Sequence, residues 1–256
     1  MSLLLWRHFW RRLFAVNDIT AKLRQIEEKM EAACARSGRK RQDVKLMGVT
    51  KFHPLEEIES ACGAGLSLFG ESRVQEAREK FSKFWERHPR DGTVELHLIG
   101  SLQRNKAKAA VTLFDCIQSV DRDSIIDELG ALTAERESPL MIMLEYHTGE
   151  ETKSGFPDLD SLFRAAERTF SFPGLRPVGL MTMAPFTDDN DVIRKSFKKL
   201  FSAGEELEKR FPSKGIISSG YWSCLSMGMT NDFEIAIEEG STLIRIGTAI
   251  FGERVT

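Results

Sequence analysis

Cysteine and histidine are scarce in these 256 residues, four and five respectively, and neither set has a spacing that binds metal. Cys34, Cys62, Cys116 and Cys224 are scattered, form no Cys-x-x-Cys and lie mostly among apolar or small residues. That excludes a zinc ribbon and a disulfide frame, and points to reduced thiols in a cytoplasmic protein. No surplus of acid or base is present either: the formal net charge is -2, with the two signs interleaved. There is thus no basic field for nucleic acid and no acidic tail, and neither nucleic acid nor a membrane is an expected partner. Internal repeats and low-complexity linkers are also missing.

What is present is an alternation of short apolar runs with amphipathic segments. At this length, with 41% hydrophobic residues, one closed α/β barrel is the simplest account. Strand-like runs are read at 44–50, 66–70, 94–100, 115–120, 140–146, 175–183, 216–219 and 242–247, each followed by a helical pattern. In the clearest of these helices Ile193, Phe197, Leu200, Phe201, Leu207 and Phe211 share one side. Eight such units predict a (β/α)8 TIM barrel over residues 17–256. Residues 1–16 are set apart as an extension. Its Leu3, Leu5, Trp6, Phe9 and Trp10 oppose Arg7, His8, Arg11 and Arg12, a pattern that suits a membrane surface but is too short to span one. Nothing downstream needs membrane contact, so the folded chain is expected to begin near Val16.

Chemistry gathers at two places. The run Val44-Lys45-Leu46-Met47-Gly48-Val49-Thr50-Lys51 is apolar, ends at a lysine and is followed by Pro54, suited to a first helical turn. Ligands of α/β proteins bind at the carboxyl ends of such strands. A lysine there is either a solvated charge or an amine able to condense with an aldehyde. Near the other end, Leu225-Ser226-Met227-Gly228-Met229-Thr230 forms a small-residue turn before a helix, and Arg245-Ile246-Gly247-Thr248 ends the last strand. Turns after the last two strands of a barrel commonly hold phosphate. Barrel closure makes these ends neighbours, so a phosphorylated aldehyde, pyridoxal 5'-phosphate, suits both. Arg245 either points inward like Leu243, toward a pyridine nitrogen, or makes a surface ion pair.

Five ordered motifs then carry a resemblance. They are Gly48-Val49-Thr50-Lys51 with Pro54; Phe69-Gly70-Glu71-Ser72-Arg73-Val74-Gln75-Glu76; His97 to Lys106; Gly179-Leu180-Met181-Thr182-Met183; and the stretch from Leu225 to Gly252. From about Asn17 to Arg254 the chain resembles the pyridoxal phosphate homeostasis proteins, barrel-only relatives of the alanine racemase amino-terminal domain. The resemblance implies an internal aldimine at Lys51, phosphate held around Ser226, Gly228, Gly247 and Thr248, and Arg245 at the ring nitrogen. It implies service in vitamin B6 and amino-acid homeostasis with no established reaction, a monomer, and pyridoxal phosphate-requiring apoenzymes as recipients. Ser72, Thr230 and the Glu145-Tyr146-His147 strand end depart from the family pattern, and the last puts a polar contact in doubt.

The competing reading is an amino-acid racemase, which needs a second acid on the cofactor's opposite face. In alanine racemase that is a tyrosine associated with a carboxy-terminal β domain. No such segment follows Phe251-Gly252 here, and Tyr146 and Tyr221 lie in no segment resembling it. A third reading is a barrel for another phosphorylated metabolite, with Lys51 a plain charge. Met181 and Met183 read as core or ring-packing residues and His97 as a structural histidine. Gln103, Asn105 and Lys106 are candidate rim residues, and Lys153 is either solvated or a lid over the cofactor.

Overall fold

The computed structural model describes residues 3–149, 154–212 and 221–253, with side chains from residue 18 onward. A helix, α1 (Leu3–Arg36), precedes eight parallel strands that pair in chain order and close into a barrel. They are β1 (Lys45–Val49), β2 (Leu68–Glu71), β3 (Glu95–Leu98), β4 (Cys116–Val120), β5 (Leu140–Glu145), β6 (Leu175–Met181), β7 (Cys224–Ser226) and β8 (Leu243–Ile246). The intervening helices are α2 (Leu55–Gly63), α3 (Val74–Arg87), α4 (Ala107–Leu113), α5 (Asp123–Thr133), α6 (Leu159–Phe170), α7 (Asn190–Arg210) and α8 (Phe233–Glu238), with a final turn α9 (Thr248–Phe251). The (β/α)8 expectation is met.

Both faces of the strands are apolar because both are covered, as parallel sheets require. Inside the barrel Met47, Leu68, Cys116, Met143, Met181 and Leu243 pack together. Between strands and helices lies the larger cluster, with Phe69, Phe81, Phe84, Phe114 and Phe197 fully buried. Helix α1 buries a stripe of Ile19, Ile26 and Met30 and runs unbroken past position 16. It packs between α2 and α8, where Arg36 pairs with Glu234 and Glu238 at 2.9 and 2.7 Å. In this way the first helix seals the seam where β8 meets β1.

The seventh strand is a correction. It is Cys224–Ser226, and the run at 216–219 lies outside the described residues. Three residues suffice because the partner strand approaches closely: at Gly179 a Cβ would stand 1.8 Å from the Cys224 carbonyl oxygen. A run that short carries no periodicity, and the β-branched segment before it is the more conspicuous one. Gly179→Ala must therefore part β6 from β7. The expected loss is more than about 4 kcal/mol in urea unfolding, against under about 1 kcal/mol for Gly63→Ala, which has open space. The stretch after β3 differs as well: a 3-10 turn, Arg104–Lys106, stands before α4, where the helical pattern predicts one helix from Ser101 to about Phe114.

Candidate functional site

Lys51 stands two residues beyond the end of β1, in a turn whose neighbours are held tightly. Thr50 is fully buried. Its N–H donates to the Gly70 carbonyl (3.1 Å), its hydroxyl to Glu71 (2.7 Å), and its carbonyl accepts from Lys80 Nζ (2.6 Å). Phe52 adopts φ +67, a left-handed conformation strained for any residue with a Cβ. Its N–H is accepted by the Glu76 carboxylate, and the Arg73 guanidinium lies 5.3 Å from its ring centre. Lys80 also pairs with Glu71 at 2.6 Å and Glu76 at 2.9 Å. One ammonium on α3 thus neutralises the two carboxylates that grip residues 50 and 52. Burial nonetheless outweighs Lys80 at Glu71 and raises its carboxyl above the usual range.

The two phosphate-type turns meet each other. Gly228 has φ +95, and a Cβ there would stand 2.6 Å from the Ala236 Cβ, so only glycine fits. Its carbonyl accepts the Arg245 N–H (2.9 Å), which ties the turn after β7 to β8. The Thr230 and Thr248 hydroxyls are 3.3 Å apart. Gly247 lies against the end of β1: a Cβ on it would be 3.4 Å from the Val49 carbonyl oxygen. Lys51, Gly228, Gly247 and Thr248 therefore occupy one end of the barrel, across the β1–β8 seam.

Arg245 points into the barrel. It is 4% exposed, and its Nη1 donates to Ser226 Oγ (2.7 Å) and its Nη2 to the Thr182 carbonyl (2.8 Å). Among the described residues no carboxylate comes within ion-pair distance of it. Burial lowers its pKa to about 10, so it stays protonated at neutral pH. The surface ion pair is thus excluded. A buried cation without a carboxylate needs strong neutral acceptors, and one N–H on each terminal nitrogen, with Nε–H, remains available for one.

Ser226 departs from the place expected of it. Its side chain is fully buried, donating to Gln118 Oε1 (2.7 Å) while accepting from Arg245. The hydroxyl is committed inside the barrel beneath the turn, because Cys224 and Ser226 share the inward alternation of Leu243 and Arg245. Gln118, also fully buried, donates through Nε2 to His97 Nδ1 (2.8 Å), and His97 Nε2 faces Glu95 at 3.2 Å. His97 is the structural histidine foreseen. Glu145, inward at the end of β5, is 3% exposed and accepts from Ser154 (2.8 Å). Burial raises its carboxyl above the usual range. Met181 is in the interior core, Met183 half-exposed on the rim, and Lys153 lies outside the described residues. The grip of Lys80 on the turn and the place of Gln118 were not foreseen.

The residues fit a pyridine phosphate on observations internal to the fold: a buried guanidinium with spare donors, a glycine turn that a Cβ would fill, and two hydroxyls meeting at the seam. Similarity to known proteins points the same way. The family model described as alanine racemase, N-terminal domain, matches residues 21–255. Proteins called pyridoxal phosphate homeostasis protein are 34% identical over 233 residues in Aquifex aeolicus, covering 91% of this chain and 97% of the relative. In Vibrio cholerae the figures are 36% over 240 residues, 93% and 98%. The structure of PipY from Synechococcus elongatus PCC7942 with PLP bound superposes with a TM-score of 0.77 at 30% identity, covering 91% of this chain and all of that one. An alanine racemase of Clostridium difficile 630, at 10% identity and a TM-score of 0.72 over 58% of its length, shares the fold.

Proposed function

Since this chain belongs to the pyridoxal phosphate homeostasis proteins, within the family of the alanine racemase N-terminal domain, we propose that it binds pyridoxal 5'-phosphate and serves vitamin B6 and amino-acid homeostasis. The observation that carries this is Arg245, a buried cation with unspent donors facing the barrel interior beside a lysine-ended strand. When bound, the cofactor supplies an aldehyde that condenses with a lysine amine and a ring able to accept electrons.

Each residue then has a separate task. Lys51 offers the amine, presented by a turn that Glu71, Glu76 and Lys80 hold. Gly228, Gly247 and Thr248, joined by Thr230, receive the phosphate at the meeting of two turns. Ser226 serves the ring end of the cofactor indirectly, by holding Arg245. The guanidinium donates a hydrogen bond to the lone pair of the ring nitrogen and, protonated at neutral pH, does not give up its proton to it. The nitrogen is thereby kept unprotonated and the ring a weak electron sink. That suits a protein that keeps the cofactor better than one that works α-carbon bonds.

The finer parts of the reading are a monomer in the cytoplasm that hands pyridoxal phosphate to apoenzymes requiring it. Four free thiols support that compartment. No helix among the described residues is long and apolar enough to cross a membrane. Purified protein reconstituted with pyridoxal 5'-phosphate and freed of excess should be yellow. A chain that stays colourless after reconstitution would instead support a site for another phosphorylated metabolite.

A further inference from the structure

A single file of hydrogen bonds runs along the inside of the barrel away from Arg245. Its members come from three different strands: Ser226 on β7, Gln118 on β4, and His97 and Glu95 on β3. Ser226, Gln118 and His97 are all buried, and each step is a hydrogen bond of 2.7, 2.7 or 2.8 Å until the last, at 3.2 Å. Its direction is fixed by chemistry. Arginine only donates, so the Ser226 oxygen accepts and its O–H points on to the Gln118 carbonyl. The Gln118 amide nitrogen only donates, so His97 Nδ1 accepts, and neutral His97 carries its proton on Nε2, toward Glu95.

Every donor thus faces away from the guanidinium, and the file ends at a carboxylate. His97 holds the Glu95 carboxyl below its usual range. A fully oriented chain polarises its members in one sense, favouring positive charge at the Arg245 end and negative charge at the Glu95 end. Glu95 also lines a cavity of about 380 Å³ with Lys45, Arg41 and Thr93, so the carboxylate end reaches the opposite mouth of the barrel. No carboxylate pairs directly with Arg245, although Asp232 and Glu145 act on it through space, and this file is the one hydrogen-bonded path the described residues give it to a carboxylate.

We propose that Gln118, acting through Ser226, is a positioning residue for Arg245, and that His97 and Glu95 extend its hold as a remote counter-charge. Gln118 sits on the strand facing β8 across the barrel and joins the Arg245–Ser226 pair to His97. Without it the serine hydroxyl loses its acceptor and is free to turn, and the guanidinium loses a fixed partner on one nitrogen. The second, from Nη2 to the Thr182 carbonyl, remains, so the arginine stays inside with its aim relaxed. The idea rests on the reading that Arg245 meets the ring nitrogen.

The test compares binding of pyridoxal 5'-phosphate with that of its analogue in which the ring nitrogen is replaced by C–H. Both carry the aldehyde and the phosphate, so their ratio isolates the contact at the nitrogen. Intact protein should prefer the nitrogen-bearing ligand by about tenfold or more, the size of a hydrogen bond from a charged donor. Gln118→Leu should bind the carbon analogue as before and lower the preference to under about threefold. If that variant fails to fold, Glu95→Gln, altered at the half-exposed end of the file, should still reduce the preference by about two- to threefold. A merely structural role would weaken both ligands alike and leave the ratio unchanged, which overturns the proposal. A wild-type protein with no preference would overturn the Arg245 reading itself, and the proposal with it.

Discussion

Lys51→Ala protein is expected to fold, to keep a weak affinity for pyridoxal 5'-phosphate and to fail to take it up covalently. Folding survives because the backbone on either side of the lysine is held by neighbouring elements. Thr50 is anchored by Gly70, Glu71 and Lys80, and Phe52 by Glu76. The unfolding midpoint in urea should correspond to a change below about 1 kcal/mol. On the proposed assignment, residual affinity would come from the turns at Gly228 and Gly247 and from Arg245, none of which the substitution touches. Loss of the covalent bond should weaken binding by at least about a hundredfold, roughly 2.7 kcal/mol. Reconstituted, freed of excess ligand and reduced, the variant should carry no cofactor mass at all. Full retention of colour after buffer exchange would mean that another amine holds the cofactor.

Lys80→Met should be the most damaging single change outside the barrel core. Glu71 is fully buried, Lys80 is 13% exposed, and the ammonium is the counter-charge of both Glu71 and Glu76. Removing one partner of a buried pair leaves a charge in low dielectric and costs about 3–5 kcal/mol. One Glu71 carboxylate oxygen is already without a hydrogen-bond partner, so nothing is in reserve. The pH dependence follows in sign. The folded-state pKa of Glu71 is already raised, and loss of Lys80 raises it further. An acid whose folded pKa lies above its unfolded value contributes stability below the unfolded pKa and loses it as pH rises through the folded one. The deficit of the variant should therefore be largest at pH 7 and shrink toward pH 5. Urea unfolding at both values checks this. A deficit independent of pH would show that lost packing of the lysine stem, not Glu71, is responsible. The same variant frees the carbonyl of Thr50, so the rate at which Lys51 takes up pyridoxal phosphate should fall together with stability.

How far the sequence foretells this depends on whether a feature is local. Lys51 is legible because an apolar run, its end and a following proline are contiguous. Arg245 is legible because its inward aim follows from alternation with Leu243 two residues earlier. Ser226 obeys the same alternation, yet its strand is three residues long, too short for a pattern, and its neighbours resemble a phosphate turn. Gln118 leaves a signal, a lone amide two residues after Cys116 within the buried run Cys-Ile-Gln-Ser-Val, but its partners are 21 and 108 positions away. Lys80 leaves none. In Ala-Arg-Glu-Lys-Phe it looks like any charge on a solvated helix face, and only the docking of α3 against β2 brings it to Thr50, 30 residues earlier. Features that close the barrel are likewise non-local: the fit of Gly179 against Cys224 is set by strand approach, not by turn chemistry.

The central claim is one covalent attachment at the mouth of this barrel. Borohydride reduction of the reconstituted protein, followed by proteolysis and mass mapping, tests it most directly. The account predicts a single added cofactor mass on the peptide that contains Lys51. Label confined to any other lysine, with the Lys51 peptide unmodified, would contradict it.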